Sequence, residues 1–139
     1  MKIIITSGYF DPIHEGHIEC LNLAKKLGDK LIVIINSDEQ AILKKGKPFM
    51  NQKIREIIVS NLKAVDETLI AVDKDGSVCE SIKLIHSKYN KGNELIFAKG
   101  GDRFSNEVPE KKVCDELNIK IVDGLGSKIN SSKNYYTQK

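Results

Sequence analysis

Two histidines three residues apart, His14 and His17, follow the apolar run Ile3–Ile5 in the block Gly8-Tyr9-Phe10-Asp11-Pro12-Ile13-His14-Glu15-Gly16-His17. This spacing places both imidazoles on one face of a helix. At a helix start they lie beside backbone N–H groups and the positive end of the dipole, where phosphate oxygens are held. Gly16 between them carries no side chain, so another backbone or a triphosphate can approach closely. A zinc site would need further ligands, and the other histidine, His86, is distant in sequence with no cysteine pair beside it. The plainer reading has both histidines as ordinary residues after Asp11-Pro12 punctuation. It leaves the coincidence of Gly8, Phe10, Asp11 and Gly16 unexplained.

Four further segments carry chemistry. Lys44 and Lys47 fall in a lysine-rich loop, Lys44-Lys45-Gly46-Lys47-Pro48, read either as a solvated basic loop or as flexible ammonium groups closing over a triphosphate. Arg55, just past apolar Ile54 on the next helix, is an ordinary surface arginine or a bidentate phosphate clamp. Lys99-Gly100-Gly101-Asp102-Arg103 follows an apolar strand. There Asp102 can accept hydrogen bonds from a base or sugar, and Arg103 can hold a substrate phosphate; the alternative is an aspartate-capped loop. Near the end, Gly124-Leu-Gly126-Ser-Lys128-Ile-Asn130-Ser131-Ser132 places hydroxyls and a lysine at a turn, where they can cap a helix and bond phosphate oxygens. Gly124-x-Gly126 is not a dinucleotide fingerprint, because it lacks the third glycine and the later acidic residue.

The elements that must position these groups alternate along the chain. Ile3–Thr6, Leu31–Ile35, Thr68–Val72, Leu95–Ala98 and Ile119–Val122 read as strands. Helical stripes lie between them: Ile18, Leu21, Ala24 and Leu27; then Ile54, Ile57, Ile58, Leu62 and Val65 behind an Asn51 cap; then Val78, Ile82, Ile85 and Tyr89. A last helix runs from Pro109 to Leu117. The pattern predicts a single α/β domain over residues 1–139, with a Rossmann-like, doubly wound, five-stranded parallel sheet. Residues 8–17, 36–48, 99–103 and 124–132 all fall at the carboxyl ends of strands, where such sheets bind ligands.

Composition bounds the partners. At 139 residues the chain can bury a real core, and 40% hydrophobic with 29% charged residues is globular. A net charge of +3 suits a small anionic substrate; dispersed lysines and few aromatics do not point to nucleic acid. No apolar run is long enough to span a membrane, and Met1-Lys2 is expected to lead directly into a strand. Cys20, Cys79 and Cys114 are odd in number and far apart, as expected of reduced thiols in a cytoplasmic protein.

The Gly8–His17 block with Phe10-Asp11 ahead of its His-x-Gly-His core resembles the cytidylyltransferase-like nucleotidyltransferases. The resemblance extends through Lys44, the Arg55 helix and Lys63-Ala-Val-Asp66-Glu67 to the terminal hydroxyl turn. In size and spacing the chain looks like the glycerol-3-phosphate cytidylyltransferases. Phe97-Ala-Lys-Gly-Gly-Asp102-Arg103 with Val108-Pro-Glu110 is more similar to the adenylyltransferase domain that activates heptose 1-phosphate, and Phe10-Asp-Pro-Ile-His14 is shared with nicotinate mononucleotide and phosphopantetheine adenylyltransferases. The chain departs from the family at its last turn, which lacks an arginine and has serines where threonines are usual, and at Tyr9, where a threonine is common.

The resemblance implies transfer of a nucleotidyl group, with CTP expected first and ATP next, onto a phosphorylated alcohol or sugar, releasing pyrophosphate. It further implies His14, His17 and Lys44 as catalytic groups and Gly8, Tyr9, Phe10, Asp11, Gly16, Lys47, Arg55, Lys99, Gly100, Asp102, Arg103, Lys128, Asn130, Ser131 and Ser132 as nucleotide or phosphate contacts. Mg²⁺ is expected on the nucleotide phosphates with Asp11 as a carboxylate contact, and a homodimer in which a second copy pairs Asp66 and Glu67. A nucleotide-binding module without turnover and a dinucleotide-dependent oxidoreductase fragment are the alternatives.

Overall fold

A computed structural model describes residues 1–100 and 109–125. In chain order the elements are β1 (Lys2–Gly8), α1 (Glu15–Lys25), β2 (Lys30–Ile35), α2 (Asp38–Lys45), α3 (Gln52–Ser60), β3 (Glu67–Ile70), α4 (Cys79–Tyr89), β4 (Glu94–Gly100), α5 (Glu110–Glu116) and β5 (Lys120–Leu125). All the strand pairings are parallel, in the order β3-β2-β1-β4-β5. The chain winds outward from β1 through β2 to β3, then crosses back to lay β4 and β5 on the other side. Strand order therefore reverses beside β1, and the β1–α1 turn opens into the crevice where ligands bind in such sheets.

β1 and β2 read as unbroken apolar runs because both faces of the sheet are covered. Ile3, Ile5, Ile32 and Ile34 pack under Ile82 and Ile85 of α4 and Val113 and Cys114 of α5. On the opposite face, Ile4, Leu31, Val33 and Ile35 meet Leu21 and Ala24 of α1 and Val59 of α3. The expected doubly wound α/β sheet is therefore present.

Two readings change. Lys44 lies in the last turn of α2 rather than in a loop; the helix starts at a capping box in which the Ser37 hydroxyl accepts the Gln40 N–H and Gln40 Oε1 accepts the Ser37 N–H. On α3, capped by Asn51 as expected, the buried residues are Arg55 and Val59, while Ile54 and Ile57 are 44% and 60% exposed. The helix is rotated from the face its isoleucines suggest, because Arg55 has partners beneath it that no local pattern shows.

Candidate active site

The β1–α1 turn is built around the ring of Phe10, which is buried and folds back so closely that a Cβ on Gly8 would lie 2.8 Å from its Cζ. Gly8 is thus required by packing, before any ligand is considered. Phe10 itself has φ +52°, a region that a bulky residue occupies only when its surroundings hold it there. Its ring then packs edge-on to His17, 5.2 Å between centroids.

Both histidines cap the helix they open. His14 is the N-cap of α1, and its Nδ1 accepts the N–H of Gly16 at 3.0 Å. The Nδ1 of His17 accepts the N–H of His14 at 3.1 Å, completing a capping box made of two imidazoles. A nitrogen that accepts an amide proton carries none itself, so each neutral ring bears its hydrogen on Nε2. The rings lie 4.0 Å apart between centroids, tilted by 35°. With Nδ1 used in the cap, Nε2 is the nitrogen through which each neutral ring donates, at the positive end of α1. Burial, with a smaller contribution from the neighbouring His14, lowers the pKa of His17 to about 4. At neutral pH His17 is an uncharged donor.

Two side chains lock this turn to the segments that follow β2. The Asp11 carboxylate accepts the amides of Phe49 and Met50, at 2.8 and 2.7 Å. Arg55 is fully buried, so it is neither a surface arginine nor a phosphate clamp. Its Nε donates to the Met50 carbonyl, Nη1 to the carbonyls of Tyr9 and Asn36, and Nη2 to Asp38 Oδ1 at 2.7 Å. One guanidinium therefore holds the histidine turn, the end of β2, the start of α2 and the approach to α3 in register. That satisfaction of its donors is what makes a buried arginine tolerable.

Sequence reasoning also missed Gln40, which is fully buried. Its Oε1 accepts from Asn36 Nδ2 and the Ser37 amide, while Nε2 donates to the carbonyls of Asp75 and Ser77 at 2.7 Å each. It ties α2 to the loop after β3. The Ser37-x-x-Gln40 spacing was the available signal.

α2 brings Lys44 back to the β1–α1 turn, with its Nζ 4.5 Å from the centroid of the Tyr9 ring. His14, His17, Tyr9 and Lys44 are thus gathered at the switch point. Gly16 sits buried in the first turn of α1 between the histidines. Lys47 follows the end of α2 and is exposed. Lys99 and Gly100 belong to β4 rather than to a loop, and Lys99 is buried. Asp102, Arg103, Lys128, Asn130, Ser131 and Ser132 lie outside the described residues.

The cytidylyltransferase-like family profile matches residues 5–125, a span that contains the whole of this arrangement. The chain belongs to that family. Among its relatives, the bifunctional protein HldE of Aliarcobacter butzleri is 35% identical over 126 residues, covering 88% of this chain and 25% of that protein. The FAD synthase of Picrophilus torridus is 37% identical over 123 residues, covering 88% of this chain and 82% of the synthase. The chain thus spans about a quarter of HldE but most of a free-standing FAD synthase. A crystal structure of a lipopolysaccharide core biosynthesis protein from Thermoplasma volcanium superposes with a TM-score of 0.66 at 26% identity, covering 88% of this chain and 95% of that one. The chain is therefore a nucleotidyltransferase-family enzyme.

The charges expected to need a second copy are satisfied within one chain. Asp66 pairs with Lys25 at 2.5 Å and accepts the Leu31 amide. Glu67 accepts the Tyr89 hydroxyl and pairs with Lys30 and Lys88. Burial pushes both carboxyls up, but these hydrogen bonds and lysine charges outweigh it and leave each below the usual carboxylate range.

Proposed function

We propose that this enzyme transfers AMP from ATP to the phosphate of a small phosphorylated acceptor, giving a nucleoside-diphosphate-activated product and pyrophosphate. The two-imidazole capping box at the start of α1, in which both Nδ1 atoms accept amides, is the observation that carries nucleotidyl transfer. An acceptor phosphate is already ionised, so it attacks the α-phosphorus without a strong base. Catalysis then rests on positioning and on donors aimed at the charge that develops. His14 and His17 bond the α- and β-phosphate oxygens, and Lys44 follows charge onto the departing pyrophosphate. As an uncharged donor, His17 does so without being consumed as an acid.

The choice of ATP departs from the sequence-based preference for CTP. It is supported by the product of the FAD synthase relative, which contains an adenylyl group, and by the heptose-1-phosphate adenylyltransferase domain of HldE. CTP with glycerol 3-phosphate is the second reading, favoured by the Lys63–Glu67 match. Among the described residues no group of three or more His, Cys, Asp or Glu side chains forms a metal site, and both Asp11 oxygens are engaged by amides. We therefore place magnesium on the nucleotide, where it would neutralise triphosphate charge, rather than on Asp11.

The same proposal places the enzyme in the cytoplasm, in line with its odd number of widely spaced cysteines; no described helix is long and apolar enough to cross a membrane. It also includes a homodimer. Exposed Phe49, Ile54 and Ile57 are then among the apolar groups available to an interface, whereas Asp66 and Glu67 are paired within one chain.

Pyrophosphate release decides the reaction, measured with each of four nucleoside triphosphates against FMN, sugar 1-phosphates and glycerol 3-phosphate. ATP-dependent release with one acceptor class is expected. Release with CTP alone would reverse the nucleotide choice, and none with any pair would refute the function. Sedimentation at micromolar concentration tests the dimer, where a persistent monomer would refute it.

A further inference from the structure

The α4 face of the sheet changes character at its carboxyl edge. Ile3, Ile5, Ile32 and Ile34 are buried there beneath α4 and α5. Side chains alternate between faces, so the next residues on that side are Ser7, half-buried, and Asn36, only 4% exposed. Their neighbours confirm the alternation: a Cβ on Gly8 would meet the Phe10 ring, and both Phe10 and Ile35 belong to the core on the α1 face. With Ser7 opposite Ile34, Ser7 and Asn36 are diagonal neighbours across β1 and β2. Hydrogen bonding fixes which atom the Asn36 amide presents. Gln40 Nε2 lies 2.7 Å from the carbonyls of both Asp75 and Ser77, a position that only a donor can hold. Gln40 Oε1 is then an acceptor, and the Asn36 atom 3.0 Å from it is Nδ2. Asn36 Oδ1 is therefore directed away from Gln40, and no donor among the described residues reaches it. Every fully buried side-chain oxygen and nitrogen among those residues has a partner, so Oδ1 opens to solvent although Asn36 is almost wholly buried. The carbonyls of Asn36 and Tyr9 share Arg55 Nη1, at 2.7 and 2.8 Å, which fixes this acceptor beside the β1–α1 turn.

We propose that Asn36 Oδ1, flanked by the Ser7 hydroxyl, binds a hydroxyl group of the acceptor and so selects a polyol or sugar phosphate. That the bound group belongs to the acceptor rests on the nucleotidyl-transfer reading above. The histidine pair opens α1 on one face of the sheet, whereas Ser7 and Asn36 lie on the other, at the carboxyl ends of β1 and β2. In-line displacement brings the attacking oxygen to the α-phosphorus from the side opposite the leaving pyrophosphate. With the nucleotide phosphates held from the α1 side, the α4 side is left for the acceptor. A neutral amide suits this task better than a carboxylate. It accepts a hydroxyl proton as well, yet adds no negative charge beside an acceptor phosphate and a triphosphate. A fixed acceptor in so confined a place also discriminates, because an acceptor molecule lacking the hydroxyl leaves it unpaired.

The test pairs each acceptor with an analogue lacking hydroxyls: glycerol 3-phosphate with propyl phosphate, glucose 1-phosphate with its 2-deoxy form, and FMN with a phosphoalkyl flavin. Wild type is compared with Ser7→Ala and Asn36→Ala, with thermal melts to establish folding; Ser7→Ala leaves the Gln40 network intact. Each substitution is expected to raise KM for the hydroxylated acceptor about three- to tenfold, as loss of one hydrogen bond would, with KM for the nucleoside triphosphate within about twofold of wild type. Neither should raise KM for the deoxy analogue, which wild type already binds about as poorly as the variants bind the hydroxylated acceptor. An unchanged acceptor KM overturns the proposal, as does an equal loss with both members of a pair or a loss confined to the nucleotide. The side-chain amide resonances of Asn36 in ¹⁵N-labelled enzyme, assigned by their loss in Asn36→Ala, supply a second measurement. They should shift on addition of a hydroxylated acceptor and stay in place with its analogue. Absence of turnover with every pair would refute the function, and these resonances would then decide the hydroxyl site alone: no shift with any acceptor, or equal shifts with both members of a pair, would overturn it.

Discussion

Replacing Arg55 by methionine separates a brace from a phosphate clamp. The wild-type guanidinium is fully buried and donates to three main-chain carbonyls, those of Tyr9, Asn36 and Met50, and to Asp38. Methionine fills part of the volume and leaves the three carbonyls without that donor. A buried acceptor so abandoned costs about 1–3 kcal/mol, and toward the lower end where the loop can relax to admit water. Asp38 is 32% exposed at its side chain and recovers solvation, so its share is below about 1 kcal/mol. The sum is about 3–5 kcal/mol, against a total stability of about 5–15 kcal/mol for a domain, so the variant folds but melts roughly 10–15 °C lower. Urea unfolding followed by circular dichroism measures this directly. Arg55→Lys, which keeps the charge but not the fork, is expected to recover only part of it. Because Tyr9 and the start of α2 lose their shared anchor, kcat should fall with stability. A clamp predicts the reverse: stability within about 1 kcal/mol of wild type, and a nucleotide KM raised tenfold or more with strong salt dependence. That outcome would refute the argument that burial removes Arg55 from the substrate.

Other outcomes follow from the same geometry. Loss of an Nε2–H donor in His14→Ala or His17→Ala is expected to lower kcat about a hundredfold; His14→Ala also loses a helix cap worth about 1 kcal/mol, which His14→Asn should restore without restoring turnover. Near-wild-type steady-state rates in these variants would remove the catalytic assignment. Because the folded-state pKa of His17 is about 4 against an ordinary 6.5, the unfolded chain binds more protons between those values. Stability supplied by neutral His17 is therefore complete above about pH 6.5 and is lost as pH falls through 4. Urea midpoints measured from pH 7 to 4.5 should fall more steeply in wild type than in His17→Gln, and parallel curves would contradict this. Gln40→Ala, which strips two donors from the Asp75 and Ser77 carbonyls and breaks the α2 capping box, should cost about 2–3 kcal/mol in urea unfolding. A cost under about 0.5 kcal/mol would mean that water replaces it.

What could be read from residues alone divides along physical lines. The strand runs of β1 and β2 were visible because a strand covered on both faces is apolar throughout, a property of a few neighbouring residues. The histidine block was visible for the same reason, since its turn, cap and spacing lie within ten residues. Arg55 was not. Its position beside Ile54 reads as the edge of a solvated face, yet Tyr9 and Asn36 reach it from 46 and 19 residues away. No window of helical length contains that information. The misread face of α3 is the same error seen from the other side: the isoleucine stripe is genuine, but four hydrogen bonds to a buried guanidinium outweigh the exposure of Ile54 and Ile57. Asp11 extends the point. It was singled out as chemistry near a triphosphate, whereas the structure uses its carboxylate to hold the amides of residues 49 and 50. Polar residues that flank a reacting pair are therefore ambiguous by type alone, because the donors that would grip a phosphate also serve to hold the loops that grip it. In this chain burial separates the two classes. The fully buried Arg55 and Gln40 hold the frame, and Lys44, exposed at the end of α2, is the cation we propose meets the substrate.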